Sequence, residues 1–127
     1  MNRKSDAFSL AGRLGSGRFA LQGMLELLRT QHNARVHAVA TVGVLVAGSA
    51  FGVSTDEWCL LVVVITGVWV AEALNTAFEF LCDVASPEFH PLVKSAKDIA
   101  AGAVLMSAIG AAAVGVIIFL PRLIALF

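Results

Sequence analysis

Three long apolar stretches dominate the hydrophobic and polar pattern: about Val36 to Val53, Trp58 to Leu81 and Ile99 to Leu120. Each approaches or exceeds the roughly 20 residues that a helix needs to cross a ~30 Å hydrocarbon core, so three membrane spans are predicted. The first is marginal in length and has Arg35 and His37 at its entrance. Ahead of the spans, Ser9 to Thr30 sets Leu10, Leu14, Leu21, Met24, Leu25 and Leu28 beside Arg13, Arg18 and Arg29. That imperfect apolar stripe predicts a helix lying on a membrane surface. Gly12, Gly15, Gly17 and Gly23 weaken it, and a loop at "GRLGSG" is the alternative. The expected organisation is an N-terminal cytoplasmic or interfacial segment, 1–34, followed by a three-span domain, 35–127. In the third span Gly102, Ala103, Ser107, Gly110, Ala111, Ala112 and Gly115 are small, which lets helix backbones approach closely and makes self-association the natural source of neighbours.

Composition agrees with an all-α integral membrane protein. Of 127 residues 58% are hydrophobic and the mean hydropathy is +0.85, too apolar for an ordinary soluble domain. Nine basic and nine acidic residues cancel, so net charge offers no argument for nucleic acid. Distribution is more informative, because Arg3, Lys4, Arg13, Arg18, Arg29 and Arg35 all precede the body of the first span. "STDEW", between spans one and two, has no Lys or Arg, whereas "SPEFHPLVKSAKD" carries Lys94 and Lys97. The excess of positive charge on cytoplasmic loops then puts the N-terminus and the second loop in the cytoplasm, with Arg122 as the exception. No apolar run followed by a small-residue cleavage site marks a signal peptide in the first 34 residues. Cys59 and Cys82, some 34 Å apart on one helix at ~1.5 Å per residue, are expected to act as unpaired small hydrophobes.

The second span raises the question of chemistry. At about 100° per residue Glu72, Asn75, Thr76, Glu79 and Asp83 fall on one stripe. A charged group near mid-membrane costs at least ~2.5 kcal/mol, so such a stripe is tolerated only against protein or water. Asp83 could instead cap the helix, and Asn75 could tie helices together. Lys94, Lys97 and Asp98 form a second polar stripe at the mouth of the third span. The lysines either snorkel to the interface or, opposite the carboxylates, complete a site that holds both metal-binding anions and phosphate-binding cations. No G-x-x-x-x-G-K-[ST] or G-x-S-x-G motif occurs, and His32, His37 and His90 lack a zinc spacing. An intramembrane proton or ion pathway and a structural membrane protein are the alternatives to an enzyme.

The block "EALNTAFEFLCD", followed by "SPEFHPLVKSAKDIAAGAVL", resembles the prokaryotic diacylglycerol kinase family of small integral-membrane lipid kinases over nearly the whole chain. The resemblance implies a homotrimer in the bacterial inner membrane, with active sites shared between subunits. It implies phosphorylation of a lipid hydroxyl by ATP with Mg2+. Glu72 would be the general base and Glu79 a metal ligand, while Asn75 supports the site. Lys97 would face the ATP phosphates, with Glu88, His90 and Asp98 around the base, and Asp83, Lys94 and Arg35 in supporting positions. Gln31 stands where the family commonly has a glutamate at the metal. An amide oxygen ligates without bringing negative charge, so weaker metal binding is expected. The loop "SPEFHPL" and the ending "IIFLPRL" resemble the undecaprenol branch of the family more than the diacylglycerol branch, which implies undecaprenol over diacylglycerol as acceptor.

Overall fold

The computed structural model describes residues 10–127. Arg3 and Lys4, and Ser9 at the expected helix start, lie outside the described residues. Four helices follow in order: α1 (Leu10–Thr30), α2 (His32–Phe51), α3 (Thr55–Ala85) and α4 (Pro91–Ile124). By length and composition α2, α3 and α4 can each cross a membrane. α3 and α4 contain the second and third apolar stretches and overrun them, whereas α2 starts before the first and stops at Phe51, two residues short of its end.

The interruption considered at "GRLGSG" does not occur, because α1 runs unbroken through all four of its glycines. A Cβ at Gly15, Gly17 or Gly23 would meet nothing within 4 Å, so neither a turn nor a close approach requires glycine there. Each costs the helix only about 1 kcal/mol relative to alanine, too little to break its backbone ladder. The chain turns at the single extended residue Gln31 (φ −104°, ψ 122°), whose N–H donates to the Leu27 carbonyl at 2.9 Å. Arg35 closes the same corner: its Nε donates to the Leu28 carbonyl at 3.0 Å and its Nη2 to that of Arg29. Carbonyls that a helix end leaves unpaired are thereby satisfied by a cation, the charge that a helix C-terminus favours.

Between α2 and α3 the chain reverses within three residues. Gly52 takes the left-handed conformation (φ 61°, ψ 49°) that ends α2, and the Val53 N–H donates to the Gly48 carbonyl at 3.1 Å. Ser54 then starts α3 with a reciprocal cap: its hydroxyl accepts from the Glu57 N–H at 3.3 Å, and its own N–H donates to Glu57 Oε2 at 2.7 Å. Gly48 is needed for another reason, since a Cβ there would lie 2.6 Å from the Trp58 ring.

The α3–α4 hairpin is the most extensive packing in the molecule. Val53, Leu61 and Ile118 form a buried cluster, flanked by Val44, Trp58, Val114 and Phe119, and the rings of Phe51 and Phe119 stand 6.3 Å apart. Arg122 locks this end, its guanidinium donating to both Glu57 oxygens at 2.9 and 2.7 Å and to the Ile118 carbonyl at 2.6 Å. At the other end His90 starts α4, its Nδ1 accepting from the Leu92 N–H at 3.2 Å, and Pro91 occupies the first turn. Large apolar side chains such as Val39, Val63, Leu105 and Ile117 point outward, as lipid-facing positions do. Cys59 is exposed, Cys82 half-buried, and both are free thiols.

Candidate functional site

The polar stripe of α3 is real, and its inner end is dry. Glu72 is 2% exposed, Thr76 4% and Asn75 9%, in a chain whose other buried residues are almost all apolar. α1 covers one flank, where Met24 and Leu27 face Ala73, Thr76 and Ala77 across a cavity of about 310 Å³. α2 covers the other, bringing His37 Nε2 to 3.6 Å from Glu72 Oε2. Asn75 Nδ2 donates to Glu79 Oε1 at 3.1 Å, so the amide and the outer glutamate are already oriented together. Among the described residues four buried polar side-chain atoms have no hydrogen-bond partner: His37 Nε2, Glu72 Oε2, Asn75 Oδ1 and Thr76 Oγ1. Buried polar atoms are usually paired, so four unpaired ones where α2 meets α3 mark this stretch as the candidate site.

Towards the α3–α4 loop the stripe becomes wet. Asp83 does not cap α3; its Oδ1 accepts from Lys97 Nζ at 2.6 Å, across from α3 to α4. Lys94 pairs with Asp98 on its own helix, also at 2.6 Å. Glu88 and His90 join Asp83, Lys94, Lys97 and Asp98 around one shallow cleft of about 450 Å³. The two stripes expected from sequence therefore face each other and join at Lys97. Gln31 and Arg35 lie at the α1–α2 corner, where the Gln31 amide donates to the Thr30 hydroxyl at 3.4 Å. Among the described residues no three His, Cys, Asp or Glu side chains gather as a metal-holding group.

Sequence reasoning set His37 at a span entrance, without a zinc spacing, and did not pair it with Glu72. The Thr41 hydroxyl donates to the His37 carbonyl at 2.7 Å and accepts from the Trp69 indole N–H at 3.1 Å, and the Trp69 ring meets the imidazole edge at 6.5 Å and 69°. Glu57 was likewise not paired with Arg122, the exception to the charge pattern, yet the two form a two-pronged ion pair.

Three helices fit to span a bilayer, one with a dry carboxylate leading to a cleft of mixed charge, define a small helical membrane protein whose site joins the apolar layer to water. The chain belongs to the prokaryotic diacylglycerol kinase family, whose sequence profile matches residues 18–119, and so to the lipid kinases. It is 39% identical over 123 residues to the undecaprenol kinase of Bacillus subtilis, covering 97% of this chain and 93% of that one. It is also 39% identical over 114 residues to a diacylglycerol kinase of Synechocystis sp., covering 89% of this chain and 65% of that one.

Proposed function

We propose that the protein transfers the γ-phosphoryl group of ATP to the hydroxyl of a membrane lipid, with undecaprenol preferred to diacylglycerol. The observation that carries the reading is Glu72: a carboxylate 2% exposed, with an unpartnered Oε2, on a helix fit to span a membrane. Glu72 takes the lipid hydroxyl proton as the hydroxyl oxygen attacks the γ-phosphorus and the bond to ADP breaks. Lys97 exchanges Asp83 for phosphate oxygens, and Glu88, His90, Lys94 and Asp98 line the cleft that takes the rest of the nucleotide.

Magnesium favours one or two protein oxygens with the remainder from phosphate and water. Glu79 and the unpaired Asn75 Oδ1 fit that demand, while Gln31 brings an uncharged oxygen from the α1–α2 corner. Bound there, the ion would neutralise phosphate charge. The undecaprenol preference is supported by the near full-length match to a kinase named for that lipid.

The proposed assembly is a homotrimer in the bacterial inner membrane. A Cβ at Gly102, Gly110 or Gly115 would meet nothing within 4 Å, so α4 has room for a neighbouring helix. α1 lies on the cytoplasmic leaflet and the α3–α4 loop faces the cytoplasm. Arg122, held by Glu57 and the Ile118 carbonyl, stays the exception to that orientation.

The test is reconstituted protein with γ-labelled ATP and, separately, undecaprenol, diacylglycerol and a shorter polyprenol, with and without magnesium. The reading expects magnesium-dependent label in undecaprenol above the other lipids, and none in Glu72→Gln. Undiminished label in Glu72→Gln would sink the assignment of the base. No label in any lipid would sink the kinase mechanism for this chain.

A further inference from the structure

We infer that His37 is a positioning residue for Glu72, donating from Nε2 to Glu72 Oε2 so that the other carboxylate oxygen is aimed at the acceptor hydroxyl; this rests on the reading of Glu72 as the base. His37 Nε2 and Glu72 Oε2 are both buried and both lack a hydrogen-bond partner. They stand 3.6 Å apart, a few tenths of an ångström beyond a normal N–H···O contact. Catalytic hydrogen bonds are commonly long without substrate and tighten in the loaded enzyme. Closing this one satisfies two orphaned atoms at once.

The imidazole is held for that task. The Trp69 ring packs against it at 6.5 Å and 69°, and Trp69 is itself held by its indole N–H donating to the Thr41 hydroxyl, one turn beyond His37 on α2. Trp69 and Glu72 are three residues apart on α3, so one turn of that helix presents both the group that steadies His37 and the group His37 addresses. His37 also lines an apolar cavity of about 340 Å³ between α2, α3 and α4, with Val68, Ala108 and Ala112 among its walls. The imidazole therefore stands where an apolar chain seated in that cavity would bring its polar end towards Glu72.

The experiment compares His37→Gln with His37→Met in vesicles containing the full-length protein, undecaprenol, ATP and magnesium. The two replacements are close in length and shape, but only glutamine keeps an N–H donor. The expected result is that His37→Gln holds kcat within about threefold of the starting protein, whereas His37→Met loses about 10- to 100-fold, with KM for ATP little changed in both. Equal activity of the two variants, or a loss confined to KM, would overturn the positioning role. If His37→Met does not assemble, Trp69→Phe carries the test: it keeps an aromatic edge but removes the bond to Thr41, and full kcat there would overturn the proposal. Undiminished transfer by Glu72→Gln in the same assay would instead locate the failure in the assignment of the base.

Discussion

At the scale of single residues, the strictest demand outside the site falls on Gly48. An added Cβ would lie 2.6 and 2.8 Å from two carbons of the Trp58 ring, which is pinned against the core at the α2–α3 turn. Gly48→Ala is expected to destabilise the protein by about 1–3 kcal/mol, read as a lower unfolding midpoint in detergent. Gly43→Ala, with nothing within 4 Å, should leave that midpoint unchanged or raise it. The side chains of the α3 stripe were legible in sequence because helical periodicity fixes which residues of one helix share a face. His37 opposite Glu72 was not legible, since periodicity within α2 and α3 says nothing about their mutual register. Arg35 illustrates the same limit: sequence put it at the entrance of a span, yet its guanidinium serves the end of the preceding helix.

At the scale of elements, the helices were legible from their apolar runs, and their ends less so. α3 begins before its apolar stretch because Ser54 and Glu57 cap it, with Asp56 and Glu57 adding negative charge to its first turn. Ser54→Ala is expected to cost about 1 kcal/mol, a small fall in the same midpoint. In α1 the glycines gave the wrong emphasis, since Gly15, Gly17 and Gly23 mark neither a bend nor a close contact. Gly15→Ala, Gly17→Ala and Gly23→Ala should each stabilise α1 by up to about 1 kcal/mol, measurable as a gain in helical circular dichroism. Had any of these positions been a hinge or a close contact, its replacement would lower stability instead.

At the scale of the whole molecule, α3 and α4 are joined by an ion pair at each end: Glu57 with Arg122, and Asp83 with Lys97. The first joins positions 65 apart in sequence. No local pattern could announce it. Glu57→Gln and Arg122→Gln are each expected to lower the unfolding midpoint, and the double variant should lose less than the sum of the singles, because both remove the same ion pair while the Ser54 and Ile118 contacts belong to one side chain each. Additive losses in that cycle would show that the two side chains act separately. The stripe between those ends has a further consequence. Glu72 is 2% exposed and the Asp83 side chain 64%, although eleven residues, roughly 16 Å at the rise of a helix, separate them. One rigid rod thus holds a steep gradient of hydration, so a substrate insoluble in water and another insoluble in lipid can react along it while each remains in its own phase.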